Sequence, residues 1–249
     1  KEKTFKVNLQ PMVSSASKHI SGAEILIRLS DDYRGQALSP YEVIKVAGEQ
    51  KKIGLISNAL LEYIGDLYEQ QGNSLFKTHQ FSRLSFNTDF SYFSEETFMR
   101  DINDMLERYE FPRDFLSFEI NENELFAHFK EFEIICNRLR QIGVHIAVDQ
   151  YTGKYVSLDK IRNIGIPEVK IPRNMVKDID VNRVSLNALQ DLIRTADSNG
   201  LRVSVVGVEN KDQYMLIREM SKDALMQGYY FYEPLEVNKL IEAIKIGEK

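Results

Sequence analysis

Apolar residues along this chain follow two alternating patterns. Short apolar runs rich in β-branched residues predict strands, and longer segments with apolar positions three and four residues apart predict helices. The predicted strands cover residues 5–10, 23–29, 83–89, 116–121, 144–149, 168–171, 202–208 and 225–231. The predicted helices cover residues 39–50, 55–71, 96–109, 129–142, 157–163, 183–198, 212–220 and 236–244. Ser39 and Pro40 are typical of a helix start, and Gly72 is typical of a helix end.

The alternation of strands and helices predicts the fold. Short connections between them favour parallel strands joined by helical crossovers. About eight such units in a chain of 249 residues favour one closed (β/α)8 barrel of the TIM type, an α/β fold, over an open sheet. No Pro-, Gly- or Ser-rich linker interrupts the pattern, so we expect residues 1–249 to form a single barrel domain.

Composition and charge narrow the functional classes. The chain is 43% hydrophobic and 28% charged, as in a water-soluble globular protein. Its net charge of −5 argues against binding to a nucleic-acid polymer, which needs a basic face. The single cysteine, Cys136, cannot form an internal disulfide, and no run of about 18 apolar residues occurs. We therefore expect a cytoplasmic domain without membrane contact in this segment. The chain begins without Met, so we expect it to be part of a longer protein, and an upstream membrane anchor or sensor stays open.

Polar side chains occur where the predicted strands end, which is the position of the site in barrels of this type. They are Asn87, Glu119, Asp149, Lys170, Glu209 and Gln227. Side chains alternate between the two faces of a strand, so Ser85 and Asn87 share one face, as do Ser117 and Glu119. Any single one of these residues is as often a helix cap or a solvated loop group. Several together favour an oxygen-rich site for Mg²⁺ or Mn²⁺, whereas His145 is expected to be a polar group of the barrel interior.

Eight segments, taken in order, resemble the EAL domain, the cyclic di-GMP phosphodiesterase module of bacterial signalling proteins. They are GAEILIR at 22–28, SPYEVIKVAGEQKKI at 39–53, LSFNTD at 84–89, FEINEN at 118–123, GVHIAVDQYTGKYVSLDKI at 143–161, EVKIPR at 168–173, VVGVEN at 205–210 and QGYYFYEPL at 227–235. The resemblance covers nearly the whole chain and implies a (β/α)8 barrel whose first barrel strand is antiparallel. We expect this reversal to bring Glu24, at the start of its predicted strand, to the same rim as the other polar residues.

The resemblance also implies roles for individual residues and for ligands. The residues that match the family's first metal site are Glu24, Asn87, Glu119 and Asp149. The residues that match its catalytic positions are Lys170, near the attacking water, Glu122, which braces the loop after Asp149, and Gln227. The residues that match its substrate contacts are Arg28, at the nucleotide phosphates, Leu26 and Lys170. The implied ligands are cyclic di-GMP and Mg²⁺ or Mn²⁺. The implied protein partners are a second copy, paired through residues 155–163, and an upstream sensor or GGDEF-type domain.

Four departures from the family pattern bear on catalysis. Gln150 replaces the second acid of a pair, Val206 replaces a glutamate, Pro172 replaces an aspartate, and the loop at 151–154 has the sequence YTGK, in which Lys154 adds a positive charge. Two metal ions about 3.5–4 Å apart require dense negative charge to stay bound together. Gln150 and Val206 each remove one charge, so we expect one metal ion at most.

Three functions stay open at the level of the sequence. The first, which we favour, is a receptor that binds cyclic di-GMP through Arg28, Lys170 and Lys154 with weak or no hydrolysis. The second is an active metal-dependent phosphodiesterase that yields linear pGpG. The third is a protein-interaction module that no longer binds the dinucleotide. The missing acids at 150 and 206 argue against the second hypothesis, and retention of the metal-site residues argues against the third.

Overall fold

A computed structural model describes residues 5–29, 46–50, 52–71 and 81–247 of the chain. The side chains of residues 5, 28 and 29 lie outside this description. Most of the helix predicted at 39–50, including its start at Ser39 and Pro40, falls outside the described residues, as does Gly72. Residues 46–49 are helical.

Eight strands among the described residues close into a barrel in the order in which they occur along the chain. They are β1 (Phe5–Ser14), β2 (Ile20–Leu29), β3 (Arg83–Asn87), β4 (Leu116–Asn121), β5 (His145–Asp149), β6 (Glu168–Ile171), β7 (Arg202–Val206) and β8 (Leu225–Gln227). Strand β1 is antiparallel to both of its neighbours, β2 and β8, whereas the neighbours from β2 to β8 are parallel to one another. The predicted α/β barrel with an antiparallel first strand is therefore confirmed.

Helices follow most of the parallel strands. They are α1 (Ile53–Gln71), α2 (Phe90–Phe93), α3 (Phe98–Tyr109), α4 (Glu122–Ala127), α5 (Phe129–Ile142), α6 (Leu158–Asn163), α7 (Arg183–Ser198), α8 (Lys211–Met220) and α9 (Val237–Gly247). The short helices α2 and α4 were not predicted, because neither is long enough to show a helical period. Each begins at a residue, Asp89 or Asn121, whose side chain accepts a hydrogen bond from a backbone N–H of the first turn. Within the described part of the chain, no helix combines the length and the apolar character needed to cross a membrane.

The strand that carries Glu24 corrects one prediction. The antiparallel strand is β1, and Glu24 lies on β2, which runs parallel to β3. Strand β2 begins at Ile20, earlier than predicted, so Glu24 occupies the middle of the strand and pairs with Ser85. The reversal of β1 therefore does not explain the position of Glu24. The early start of β2 explains this position instead. Because the strand begins at Ile20, Glu24 lies further along the barrel axis than predicted and nearer to the ends of the neighbouring strands.

The last strand is shorter than predicted. Strand β8 ends at Gln227 instead of residue 231, because the backbone turns at Gly228. A Cβ at Gly228 would collide with the backbone of Val208, so only glycine permits this approach. The carbonyl of Gln227 accepts hydrogen bonds from the backbone N–H groups of Gly207 and Val208 at 2.8 and 3.0 Å. These bonds fix the end of β8 against the loop after β7.

The two faces of the barrel strands differ in polarity. Phe86, Phe118 and other buried apolar residues face the helices, and the rings of Phe86 and Phe118 meet edge to face at 4.8 Å. The interior, in contrast, contains a buried ion pair between Arg83 and Glu168, to which Ser204 Oγ donates a hydrogen bond of 2.6 Å. This pair lies at the starts of β3 and β6, at the end of these strands that is away from the candidate site.

Candidate functional site

The strand register brings polar side chains together at one mouth of the barrel. Asn87, at the end of β3, pairs with Glu119, and the next pair along, Asn121 and Asp149, ends β4 and β5. Because the strands from β2 to β8 are parallel, their carboxyl ends meet at the same rim. The residues predicted as a metal site therefore lie on neighbouring strands of one rim, together with Lys170 from β6.

Lys170 lies at the centre of these residues. Its ammonium Nζ is 2.7 Å from Glu24 Oε2 and 2.5 Å from Glu119 Oε2, and its side chain is only 1% exposed. Burial alone would lower the pKa of Lys170, but the charges of Glu119 and Glu24 outweigh it and raise the pKa above its ordinary value. The side chain therefore stays charged and serves as the counterion of the cluster.

Glu24 is the carboxylate with the most hydrogen-bond donors around it. Asn87 Nδ2 donates to Glu24 Oε1 at 2.7 Å, and Gln227 Nε2 donates to Glu24 Oε2 at 3.3 Å, in addition to the contact with Lys170. Burial raises the pKa of the Glu24 carboxyl, but Lys170 outweighs this effect and holds the pKa below its ordinary value. Glu24 is therefore ionised at neutral pH.

The remaining two carboxyl groups of the cluster hold protons more strongly. Burial, with the charge of Glu24, raises the pKa of Glu119 to about 8, although Lys170 opposes the shift. Burial also raises the pKa of Asp149 above its ordinary value. Ser85 Oγ donates a hydrogen bond of 2.5 Å to the second oxygen of Glu119. Three carboxyl groups share one ammonium, so the cluster has more acid than Lys170 alone can neutralise.

The donor set matches the chemistry of a hard divalent ion. Carboxylate and amide oxygens, here from Glu24, Asn87, Glu119 and Asp149, are the ligands that Mg²⁺ and Mn²⁺ prefer. Among the described residues, however, no three Asp, Glu, His or Cys side chains converge on one point as metal ligands do. The ammonium of Lys170 separates Glu24 from Glu119 instead. The residues thus fit a metal ion in their chemistry and in their excess of acid, and holding one requires these carboxylates to turn away from Lys170.

Glu122 holds the loop that follows β5. Its carboxylate Oε2 accepts hydrogen bonds from the backbone N–H and the hydroxyl of Thr152, both at 2.9 Å. Its other oxygen accepts from the backbone N–H groups of Tyr155 and Val156 at 3.0 and 3.2 Å. Glu122 is only 1% exposed, so these four bonds are shielded from water. This geometry ties residues 152–156 to the start of α4.

Gln150 has an unusual backbone conformation beside Asp149. Its φ angle of 52° lies in the left-handed region, which a side chain such as glutamine adopts at a cost. Its backbone N–H and its side-chain amide both act to lower the pKa of Asp149, and they partly offset the effect of burial on that pKa. The glutamine therefore supplies hydrogen-bond donors at the position where the resemblance places a second acid. Lys154, further along the loop, lies over the ring of Tyr155 at 4.9 Å.

A cavity of about 520 Å³ opens beside the cluster, between β1, β2, β7 and β8. Its volume is within the range of small-molecule sites. The cavity meets the cluster at Glu24 and Gln227, and Leu26 and Val206 add apolar lining. Lys170 is not among the residues that line it. Arg28 continues β2 beyond Leu26, but its side chain lies outside the described part of the structure.

Two residues near the cluster were not predicted, and His145 is far from it. Ser85 could have been included, since it shares a strand face with Asn87. Gln10 ends the strand predicted at 5–10 but was not singled out; in the structure it lies inside the longer strand β1, pairs with Glu24 and lines the cavity. His145 begins β5 at the opposite end of the barrel, where its Nε2 contacts Asp114 Oδ1 at 2.7 Å. His145 is half-buried there and is no part of the candidate site.

Comparison with known proteins gives consistent matches. A family model described as EAL domain matches residues 1–234. The chain is 28% identical over 231 residues to the signaling protein YkoW of Bacillus subtilis, and 24% identical over 247 residues to the cyclic di-GMP phosphodiesterase NbdA of Pseudomonas aeruginosa. These alignments cover 93% and 97% of this chain, but only 28% and 30% of the relatives. The chain therefore spans less than a third of the length of these two proteins.

Solved structures share the barrel. The phosphodiesterase PaMucR in complex with c-di-GMP superposes with a TM-score of 0.85 at 17% identity, covering 95% of this chain and 94% of that chain. The FimX EAL domain from Pseudomonas aeruginosa bound to c-di-GMP superposes with a TM-score of 0.79 at 20% identity, covering 93% and 91%. At these identities the likeness demonstrates a shared fold.

Proposed function

Because this chain belongs to the EAL domain family, we propose that it binds cyclic di-GMP at the mouth of its barrel and hydrolyses it weakly or not at all. One observation carries this proposal. The cluster of Glu24, Asn87, Glu119, Asp149 and Lys170 is complete, whereas Gln150 and Val206 add no negative charge beside it. The chain thus keeps the part of the site that holds a ligand and lacks acid where a second metal would bind.

The cavity supports the binding part of the proposal. It lies against Glu24 and Gln227, it has an apolar wall at Leu26 suited to a base or sugar face, and its size is suited to a small ligand. Arg28 belongs to the same strand as Leu26, and we propose that it contacts the phosphates. Two of the similar solved structures, PaMucR and the FimX EAL domain, were determined with c-di-GMP bound.

The charges of the cluster support the catalytic part. We propose that Glu24, Asn87, Glu119 and Asp149 hold one Mg²⁺ or Mn²⁺ ion. Bound there, the ion would lower the pKa of a water molecule, and a second ion would normally share this task. In this chain Lys170 would hold the nearby water, Gln227 would orient Glu24, and Glu122 would fix the loop after Asp149. With Gln150 and Val206 in place, the second ion lacks ligands.

An active phosphodiesterase is the second candidate. It is favoured by the names of the relatives NbdA and RocR, both cyclic di-GMP phosphodiesterases, and RocR is 25% identical to this chain over 235 residues. It is also favoured by the intact contacts of Lys170 with Glu24 and Glu119. In this hypothesis Gln150 is a tolerated neutral ligand and the product is linear pGpG.

Two measurements separate the candidates. Calorimetric titration with cyclic di-GMP in EDTA reports binding without metal, and chromatography of the dinucleotide after incubation with Mn²⁺ reports hydrolysis. The proposal expects binding in the first and little product in the second, and it expects Arg28→Ala to weaken binding about tenfold or more, because a bidentate phosphate contact is lost. Turnover of about 1 per second or faster would establish the phosphodiesterase instead. Absence of binding would contradict the receptor function.

The wider protein context is also a proposal. We propose that residues 1–249 are one EAL module of a longer signalling protein, with a sensor or GGDEF-type domain elsewhere, since the relatives YkoW and NbdA are more than three times as long as the aligned segment. We further propose a homodimer formed through residues 155–163. Phe126 and Tyr155 support this, because both are exposed and their rings lie 5.8 Å apart on one surface. Light scattering would detect the dimer, and replacing both rings by serine should leave a monomer.

A further inference from the structure

The charges that line the cavity are unfavourable for an anionic ligand, with one exception. Glu24 and Glu209 are acidic, and Arg173 carries the only positive charge among the described residues that line the cavity. Lys170 is only 1% exposed, its ammonium contacts Glu24 and Glu119, and it is not among the residues that line the cavity. Among the described residues that line the cavity, Arg173 is therefore the only cation that the two phosphodiester groups of the dinucleotide can contact.

Arg173 is held with part of its guanidinium open. Its Nε donates a hydrogen bond of 2.6 Å to Glu209 Oε1, and its side chain is 61% exposed. Glu209 engages Nε, and neither Nη group of Arg173 forms a hydrogen bond with a side chain among the described residues. A guanidinium presents donors in a planar fork that matches two oxygens of a phosphate. The open edge of Arg173 is therefore suited to receive a phosphodiester.

Three local features fix the position of Arg173. Pro172, with its constrained φ of −76°, precedes it, and the 3-10 helix Arg173–Met175 begins at it. Gly207 lies directly against its side chain, and a Cβ there would collide with the Cβ of Arg173. The backbone and the base of the side chain are thus packed, while the guanidinium stays at the cavity. Such an arrangement lowers the conformational entropy that the side chain would lose on binding.

We propose that Arg173 binds a phosphodiester group of the dinucleotide and that Glu209 is a positioning residue that orients its guanidinium. This inference rests on the proposed binding of cyclic di-GMP and adds a specific phosphate contact to it. The contact needs no metal ion.

Calorimetric titration with cyclic di-GMP in EDTA tests the contact. Arg173→Ala should weaken binding about tenfold or more, the usual effect of losing a charge-assisted hydrogen-bonded pair. Arg173→Lys should lie between the parent and Arg173→Ala, because it keeps the charge and loses the fork. The matched control is Arg194→Ala, which removes an exposed arginine paired with Asp191 on α7, away from the cavity, and should bind like the parent.

The outcomes distinguish this inference from the proposed function. If the parent binds and Arg173→Ala binds equally well, the inference is wrong and the receptor function stands. If Glu209→Gln weakens binding as much as Arg173→Ala while Arg173→Lys binds like the parent, Glu209 is the ligand contact and the inference is wrong. A parent that does not bind overturns both. Thermal unfolding of each variant checks that it is folded. If Arg173→Ala does not fold, Arg173→Lys provides the test instead.

Discussion

The ammonium of Lys170 lies 2.5 Å from the carboxyl group of Glu119 inside the barrel, where both side chains are 1% exposed. The ammonium does not balance all the acidic groups around it, because Glu24 contacts the same ammonium and Asp149 also interacts with it electrostatically. The stability of a buried cluster of this kind falls more when its cation is removed than when one of its acids is removed. The stability of the site therefore depends on Lys170 more than on any single carboxyl group.

Replacing Lys170 by methionine should destabilise the fold by about 3–5 kcal/mol at pH 9, because the buried carboxylates lose their counterion. The loss should be smaller at pH 5. Burial has already raised the pKa of Glu119 to about 8, so at pH 5 this group is neutral and needs no cation. Urea unfolding at the two pH values measures the effect, with Lys160→Met, an exposed lysine on α6, as the control. Equal losses at both pH values would contradict the role of Lys170 as counterion.

The second buried ion pair predicts how stability depends on acid. Burial raises the pKa of Glu168, but Arg83 outweighs this and lowers the pKa from 4.5 to about 2. Its contribution to stability is therefore present above pH 4.5 and disappears as the pH falls toward 2. The expected size is about 3 kcal/mol. In Glu168→Gln the dependence on pH between 4.5 and 2 should be weaker by this amount, as measured by urea unfolding across the window. An unchanged acid profile would be evidence against the pair.

Metal binding should saturate at one ion per chain. Titration with Mn²⁺ followed by electron paramagnetic resonance counts bound ions directly. Asp149→Asn should reduce the affinity about tenfold or more, by analogy with the effect of losing groups that support a metal site. Glu209→Gln provides a matched control, because Glu209 is an acid at the cavity that does not belong to the cluster. If the parent bound two ions with similar affinity, Gln150 and Val206 would weaken the second metal site less than we propose.

Much of the fold followed from the sequence because its signals are local. Asn87 and Glu119 end strands whose apolar and polar residues alternate, and this alternation assigns their side chains to one face. The start of β2 was predicted too late, at Ala23 instead of Ile20, because Gly22 and Ser21 give no apolar signal. That error led to a wrong explanation for Glu24. The helices α2 and α4 depend on side-chain caps at Asp89 and Asn121 and are too short for periodicity.

The site was harder to predict, because its geometry depends on pairing between distant strands. The contact of Lys170 with Glu24 spans 146 positions of the chain, and no local pattern encodes it. Gln10 enters the site from the middle of β1, which runs four residues beyond the strand predicted at 5–10. The open guanidinium of Arg173 depends on the close approach of Gly207, which only the folded loop after β7 produces.

The last prediction concerns restoring the missing acids. Gln150→Asp alone should give little hydrolysis, because Val206 still offers no ligand on the neighbouring side of the cavity. The substitution itself is compatible with the backbone, since aspartate tolerates the left-handed conformation at residue 150. Val206→Glu alone should likewise give little. The double variant should hydrolyse cyclic di-GMP well beyond the sum of the two, because residues that act on one shared ion behave as a unit.

The test compares hydrolysis rates, with Mn²⁺ in excess, for the parent, both single variants and the double variant. Purely additive rates would show that residues 150 and 206 do not serve a common ion, and the explanation for weak hydrolysis would then have to lie elsewhere in the site.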